Sequence, residues 1–304
     1  MKTTTSTLTI ANVYKRFGDI EAVSDVTLSI KRGEIVGFVG PNGAGKTTTI
    51  SMLMGFIRPT QGRIHILGQE VTPETAHRLH KNIGYVAGDM VMPPGLSGKQ
   101  FLDFIAGQNG RDEKRFERLV HQLHPVMNRP LKTLSRGNKQ KIALIAALQH
   151  KPEILILDEP TSGLDPLMQD VFLKAITHEA GEGTTVLMSS HILSEVSDIC
   201  DRIVFMRSGK FIVDQPINAI TKQLGKHVVV TSTSAAKLKQ YIPENVEIIS
   251  HTTTQLRLAV SLSDLKPFLR WLMTKEFSDL TVEERNLDDV FHELYVDTGR
   301  RKRS

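Results

Sequence analysis

The feature that most constrains this chain is a glycine-rich loop between a strand-like and a helix-like segment. Residues 40–47 read Gly-Pro-Asn-Gly-Ala-Gly-Lys-Thr and fit the pattern G-x-x-x-x-G-K-[ST] at every fixed position. An apolar run precedes the loop and a helical pattern follows it, which is the context this motif requires. Its backbone N–H groups and the helix dipole would face a phosphate chain, with Lys46 reaching the β and γ phosphates and Thr47 ligating Mg²⁺. The loop therefore predicts a nucleoside triphosphate site.

Length and composition limit the classes of protein to consider. The 304 residues are 40% hydrophobic and 23% charged, as expected for a globular chain with one large and one small domain. No apolar run approaches the roughly 20 residues that span a bilayer, and residues 1–5 are too polar for a signal peptide. The single cysteine, Cys200, excludes an internal disulfide and suits a reducing cytoplasm. The basic tail at 300–303 predicts a solvated terminus, with contact to anionic lipid or nucleic acid as the alternative.

Two patterns of strands and helices follow one another along the chain. Strands and helices alternate up to about residue 220, which predicts a layered α/β fold. After that point the order β-α-β-β-α-β plus a last helix at 287–295 predicts a small α+β, ferredoxin-like domain. We therefore expect domains at 1–224 and 225–297, followed by a basic tail at 298–304.

Polar residues that could bind a metal or take part in catalysis stand at the ends of predicted strands. Asp158 and Glu159 follow an unbroken apolar run, which is typical of a buried parallel strand. One carboxylate there can hold Mg²⁺ through water, and its neighbour can orient or deprotonate an attacking water. His191 follows another strand end and is a candidate contact for a γ-phosphate. A second glycine-containing stretch, residues 134–138, opens a helix.

Taken together, these segments resemble the ATP-binding subunit of an ABC transporter over residues 5 to about 220. The resemblance implies a P-loop NTPase fold with a RecA-like core, an antiparallel β subdomain and a helical subdomain at about 89–150. It implies ATP and Mg²⁺ as cofactors. The nucleotide-binding positions it implies are Phe17 (stacked on adenine) and the Walker A residues Gly40, Pro41, Asn42, Gly43, Ala44, Gly45, Lys46, Thr47 and Thr48.

The same resemblance assigns the remaining site residues. Glu159 matches the catalytic glutamate, His191 the switch histidine, and Asp158 a metal ligand that acts through water beside Thr47. The D-loop is Ser162, Gly163, Leu164 and Asp165, and the signature is Leu134, Ser135, Arg136, Gly137 and Asn138. In this family the signature binds the ATP held by the opposite subunit. The resemblance therefore implies a dimer that sandwiches two nucleotides and hydrolyses them only when closed.

Three positions depart from the family pattern. Arg136 and Asn138 replace a glycine and a glutamine of the signature, while Ser135 and Gly137 are retained. In the Q-loop the usual glutamine is replaced by Gly88, followed by Asp89. Either Asp89 takes over metal ligation or the coupling to a membrane partner is weaker, and the sequence leaves both open.

The leading functional interpretation is a cytoplasmic ATPase, peripheral on the inner face of the membrane, that drives separately encoded permease subunits. Its partner ATPase is identical or different, and we expect no nucleic-acid partner. Residues 280–291 resemble the closing motif of ATPases that serve ABC-2-type permeases, mostly exporters. We expect the permease to contact Asp89, Leu96 and the helices up to His124. The alternative is a soluble ABC ATPase acting on the ribosome or DNA, which is disfavoured by the single cassette and the lack of a long heptad run.

Overall fold

The computed structural model describes residues 6–88, 90–223 and 225–284. The chain divides into two compact units, Met1–Asp214 and Gln215–Ser304. The sequence pattern predicts this boundary at residue 224. The observed division lies inside the strand Lys210–Pro216, so the helix Ile217–Gln223 falls in the second unit.

The first unit contains ten strands and seven α-helices within the described residues. Its strands are β1 (Ser6–Phe17), β2 (Ile20–Lys31), β3 (Ile35–Val39), β4 (Gln61–Ile66), β5 (Gln69–Glu70), β6 (Ile83–Val86), β7 (Ile154–Asp158), β8 (Thr185–Ser190), β9 (Arg202–Arg207) and β10 (Lys210–Pro216). Its helices are α1 (Lys46–Leu53), α2 (Ala76–Leu79), α3 (Gly98–Asn109), α4 (Glu113–Leu123), α5 (Arg136–Leu148), α6 (Pro166–Gly181) and α7 (Leu193–Ser197). Short 3₁₀ turns occupy His80–Asn82 and Leu131–Thr133.

A six-stranded sheet in the order β10-β9-β3-β8-β7-β6 forms the centre of this unit. Neighbours from β9 to β6 run parallel, and every residue of β3, β7 and β8 is buried. Such burial on both faces is typical of parallel strands and explains their continuous apolar sequences. The register pairs Val39 with Ser190 and Asp158 with Ser189, so the carboxyl ends of three strands meet at one edge. Ligands bind at this edge in open α/β sheets.

A second sheet, in the order β2-β1-β4-β5, is antiparallel throughout. Leu8 and Ile10 of β1 belong to the same apolar cluster as Phe38 of β3, Ile50 of α1 and Ile156 of β7. This shared core fixes the antiparallel sheet and α1 against the parallel sheet, and all five of these side chains are nearly inaccessible to solvent. The predicted antiparallel β subdomain and RecA-like core are confirmed.

The helical part of the unit consists of α3, α4 and α5. Each helix begins at a side-chain cap: Ser97, Asp112 and Ser135 accept a backbone N–H from the first turn. Ser97 also forms a capping box with Gln100. Helix α5 is the most buried, and α4 is tied to α6 by two arginines that pair with the fully buried Glu179.

The second unit comprises α8 (Ile217–Gln223), β11 (Lys226–Thr231), α9 (Ala235–Leu238), β12 (Glu247–His251), β13 (Gln255–Val260), α10 (Leu262–Leu272) and β14 (Asp279–Glu284). Its four strands are antiparallel in the order β12-β13-β11-β14, and α9 and α10 contribute to a core with Val228, Leu258 and Phe268. This order and pairing confirm the predicted ferredoxin-like arrangement. The predicted last helix and the basic tail lie outside the described residues.

The described ranges contain no helix that is long and apolar enough to cross a membrane.

Candidate active site

The glycine-rich loop runs from the end of β3 to the start of α1, and its close packing explains its composition. A Cβ atom on Gly40 would lie 2.2 Å from the carbonyl oxygen of Met206. On Gly45, where φ is 109°, it would lie 2.6 Å from the carbonyl oxygen of Ala22. Only glycine fits at these two positions, and the loop backbone is thereby fixed in a narrow turn. The loop residues line a cavity of about 160 Å³ together with Ala22 and Glu159.

Lys46 places a buried positive charge at the centre of this loop. The residue is only 5% exposed, and its Nζ donates hydrogen bonds to the carbonyl oxygens of Gly40 and Pro41 at 2.6 and 3.2 Å. The same Nζ lies 3.5 Å from Oε1 of Glu159. A buried ammonium group inside a glycine backbone turn at a helix N-terminus is a donor set that suits a chain of phosphates. The residues present therefore fit the triphosphate predicted from the sequence.

Asp158 and Glu159 are held at the end of β7 by the neighbouring strand. The hydroxyl of Ser189 donates a 2.6 Å hydrogen bond to Oδ1 of Asp158, which is 4% exposed. The same hydroxyl accepts the backbone N–H of Glu159 at 3.0 Å. Ser189 is not among the predicted site residues, because it belongs to no motif. Its signal is its place in register opposite Asp158, which appears only once β7 and β8 are known to be neighbours.

Glu159 connects the loop to His191. Its backbone has a φ of 47°, the left-handed region that residues other than glycine seldom adopt. Such strained conformations cluster at functional sites, where surrounding contacts hold them in place. The carboxylate lies with Oε2 at 3.1 Å from Nδ1 of His191 and Oε1 at 3.5 Å from Nζ of Lys46. The Glu159 carboxylate thus contacts both Lys46 and His191, and these three residues are predicted from separate segments of the sequence.

A second, larger cavity of about 430 Å³ lies beside these residues. It is lined by Thr47, Tyr85, Ala87, Gly88, Arg136, Asp158, Glu159 and Ser162. Thr47 and Asp158 supply the hard oxygen donors that Mg²⁺ prefers, and Mg²⁺ characteristically takes few protein ligands besides phosphates and water. The described part of the chain contains no cluster of three or more His, Cys, Asp or Glu side chains placed to hold a metal. Asp89, the third predicted metal ligand, lies outside the described residues.

Gly88 stands against the end of β7. A Cβ atom there would lie 3.1 Å from the carbonyl oxygen of Asp158 and 3.9 Å from Cβ of Glu159. A side chain at this position requires a shift of a few tenths of an ångström, so the replacement of glutamine by glycine lets the main chain approach the acidic pair closely.

The signature residues open α5 next to the D-loop. Ser135 caps the helix by accepting the N–H of Asn138 at 3.3 Å. The Asn138 side chain bonds locally, accepting from the N–H of Val126 at 2.8 Å and donating to its carbonyl oxygen at 3.1 Å. Arg136 is exposed and donates to Oγ of Ser162 at 3.3 Å. Leu134 is buried, and Gly137 packs toward Leu164.

The D-loop joins the acidic pair to α6. Gly163 has a φ of 76° and lies against the Arg136 guanidinium, where a Cβ atom would meet Nη1 at 3.0 Å. Asp165 caps α6 by accepting the N–H of Met168 at 3.0 Å. Gln140 of α5 is not among the predicted site residues. Its side-chain amide donates to the carbonyl oxygens of Pro160 and Ser162 at 2.9 and 3.2 Å.

Phe17 ends β1 and does not line either cavity. Its ring is 49% exposed, and Nζ of Lys15 lies 4.8 Å above the ring centroid. The same ammonium donates to the carbonyl oxygen of Arg58 at 2.8 Å. One face of the ring is therefore covered by a cation held in place, in a cation–π contact.

The fold and the site define a P-loop nucleoside triphosphatase, and comparison with known proteins narrows the class. Residues 23–162 match the family model described as ABC transporter. The chain is 31% identical over 295 residues to YhaQ of Bacillus subtilis (strain 168), an uncharacterised ABC transporter ATP-binding protein, covering 94% of this chain and 97% of the relative.

Two further relatives carry functional names. The linearmycin resistance ATP-binding protein LnrL of Bacillus subtilis (strain 168) is 30% identical over 306 residues, covering 95% of this chain and 97% of LnrL. The bacitracin transport ATP-binding protein BcrA of Enterococcus faecalis is 31% identical over 298 residues, covering 93% and 94%.

Solved structures agree with the fold. An ATP-binding subunit of an ABC transporter matches with a TM-score of 0.64 and 28% identity, over 72% of this chain and 92% of that one. The chain belongs to the family of ABC transporter ATP-binding proteins. As a member of this family it is an ATPase that binds ATP as the ATP-driven subunit of a transporter.

Proposed function

We propose that two copies of this chain close around two ATP molecules, that hydrolysis reopens them, and that this cycle drives a separate membrane permease. The observation that carries the proposal is the position of Glu159 between Lys46 and His191, at 3.5 and 3.1 Å. This carboxylate lies beside both the loop cavity and the larger cavity, where an attacking water would meet a γ-phosphate.

Each residue of the site has a role in this cycle. Residues 40–48 cradle the phosphates, and Lys46 exchanges its carbonyl partners for β- and γ-phosphate oxygens. Thr47 and Asp158 would hold Mg²⁺, Asp158 through water, and a metal there would supply positive charge beside the phosphates. Glu159 orients the water and takes its proton, and Ser189 keeps both acids in place. His191 donates Nδ1–H to Glu159, and when the ring is protonated its Nε2–H can donate to the γ-phosphate.

The second copy would complete each site. Ser135 and Arg136 are exposed at the N-terminus of α5, where backbone N–H groups favour an anion. A closed pair related by two-fold symmetry would place this surface of one copy on the ATP of the other, and such pairs are the commonest protein assemblies. The contact of Arg136 with Ser162 would link the signature to the D-loop of the same chain.

The permease would dock in an apolar groove of about 260 Å³ beside β6 and α3. Its lining includes Phe56, Phe101, Ile105, Ala146 and His150. Phe56 is 57% exposed, although large aromatic residues are usually buried. A short helical segment of the permease is an occupant of suitable size and polarity, because helices bind apolar grooves through a few apolar side chains. This docking would hold the ATPase on the cytoplasmic face of the membrane.

We propose export as the direction of transport. The names of LnrL and BcrA refer to linearmycin resistance and bacitracin transport, and both relatives align over nearly their whole length. The domain boundary near residue 214 separates this ATPase cassette from a small accessory domain. Nothing in the described residues favours a nucleic-acid partner over the permease.

The test is ATP hydrolysis by the purified chain and by Glu159→Gln, with the exposed Glu182→Gln as the matched control. We expect Glu159→Gln to lower kcat at least about 100-fold, the usual contribution of a positioned general base. It should also accumulate as a dimer when Mg·ATP is added, seen by light scattering after size exclusion. A Glu159→Gln chain that hydrolyses ATP at the wild-type rate would refute the proposed mechanism.

A further inference from the structure

Tyr85 lies at the meeting point of two cavities. It belongs to β6, the edge strand of the parallel sheet. It lines the 430 Å³ cavity that contains Thr47, Asp158 and Glu159, and it also lines the 260 Å³ apolar groove. The residue is half-buried, and this one residue belongs to the wall of each space.

On the groove side, Tyr85 is in contact with an exposed ring. The centroids of the Phe56 and Tyr85 rings are 5.9 Å apart at an interplanar angle of 66°, which is an edge-to-face contact. Phe56 also meets the ring of His80 at 6.0 Å. A segment that binds in the groove must displace or cover Phe56, and Tyr85 is the next ring in this row.

On the catalytic side, Tyr85 shares the 430 Å³ cavity with Asp158 and Glu159. Burial, reinforced by the negative charge of Asp158, raises the pKa of Tyr85 to about 12. The phenol is therefore neutral at physiological pH and keeps its proton as a hydrogen-bond donor. Gly88, three residues further along, contributes only backbone to the same wall.

We propose that Tyr85 is a positioning residue that couples the groove to the catalytic cavity. Its ring responds to Phe56, and its hydroxyl carries that response to Asp158 and the metal-binding side of the site. The role of the groove rests on the proposed docking of the permease. The coupling itself is a property of this chain and is measured without a partner.

The test is a double-mutant cycle built from Phe56→Ala, Tyr85→Phe and the combined variant. Tyr85→Phe removes the hydroxyl and keeps the ring, so the edge-to-face contact and the packing remain. Phe104→Ala is the matched control, because Phe104 is 55% exposed on α3 and lines neither cavity. The readouts are kcat for Mg·ATP hydrolysis and the affinity for a fluorescent ATP analogue with and without Mg²⁺.

We expect Phe56→Ala to change kcat about threefold in the wild-type background, a size typical of coupled neighbours. In the Tyr85→Phe background the same substitution should have no effect, and Phe104→Ala should have none in either. Affinity for the analogue without Mg²⁺ should stay constant throughout, which separates coupling from damage to the loop.

The inference would be overturned if Phe56→Ala changed kcat equally in both backgrounds. It would also be overturned if Phe104→Ala changed kcat as much as Phe56→Ala does. If the purified chain hydrolysed no ATP, the proposed catalytic cycle would fail. The coupling would then be measured by the Mg²⁺ dependence of analogue binding. Phe56→Ala should change this dependence in the wild-type background and leave it unchanged in the Tyr85→Phe background.

Discussion

The ion-paired group of Glu179, Arg115 and Arg118 fastens α4 to α6, the helix that begins at the D-loop. Glu179 is fully buried, Arg115 is 7% exposed and Arg118 is 33% exposed. Removing one partner of a buried ion pair costs about 3–5 kcal/mol, because it leaves an uncompensated charge inside the protein. Arg118 can turn toward water, which leaves Arg115 as the stranded charge. We therefore predict that Glu179→Gln lowers the free energy of unfolding of the first unit by about 3 kcal/mol, the lower end of that range.

Urea unfolding followed by circular dichroism measures this loss. With a denaturant slope of about 3 kcal/mol per molar urea, the midpoint should fall by about 1 M. The single tryptophan, Trp271, lies in α10 of the second unit, so its fluorescence follows that unit separately. The matched control is Glu74→Gln, which breaks the pair with Arg58 in which both side chains are more than 60% exposed. Exposed pairs contribute about 0–1 kcal/mol, so this midpoint should move little.

A midpoint for Glu179→Gln that shifts no more than that of Glu74→Gln would refute the reasoning. It would mean that Arg115 finds water or another partner without cost, and that apolar packing alone joins α4 to α6.

Three further results are expected. Gly40→Ala should abolish binding of a fluorescent ATP analogue, because its Cβ would lie 2.2 Å from the Met206 carbonyl oxygen. Gly107→Ala is the control: a Cβ on Gly107 of α3 meets open space, so this variant should bind the analogue normally. Phe17→Ala should weaken ATP binding about tenfold and Phe17→Tyr should not, since one stacked base contributes about 1–3 kcal/mol. The ring nitrogens of His150 are buried, and burial lowers the pKa of His150 below its ordinary 6.5. The neutral His150 ring therefore contributes to the free energy of unfolding above pH 6.5, and this contribution is lost as the pH falls below that value. His150→Phe should therefore reduce the drop in urea midpoint between pH 7 and pH 5.

The sequence predicted the parts of the site that depend on local backbone demands. The loop could be predicted because Gly40 and Gly45 occupy positions where any Cβ would collide with a neighbouring carbonyl oxygen. The strand before Asp158 could be predicted because burial on both faces requires an unbroken apolar run. The ferredoxin-like unit could be predicted from its element order, β-α-β-β-α-β, because that order is the signature of the motif.

The parts that the sequence did not predict depend on which strands become neighbours. Ser189 supports the acidic pair only because β8 lies beside β7, and Tyr85 lines two cavities only because β6 is the edge strand. These residues are far apart in the chain and carry no motif. The hydrogen bonds of the Asn138 side chain could not be predicted either. They join it to the backbone of Val126, in a loop whose conformation the sequence pattern does not define.

The most direct test of the shared site is a mixing experiment with two inactive variants. Lys46→Ala removes the phosphate-binding charge, and Ser135→Asp keeps the helix cap while opposing a γ-phosphate with a negative charge. A mixed pair holds one intact site, made from the loop of the Ser135→Asp chain and the signature of the Lys46→Ala chain. An equal mixture should therefore recover about one quarter of the wild-type ATPase rate, because half of the pairs are mixed and each has one working site. A mixture as inactive as its two components would contradict a site shared between two copies of this chain.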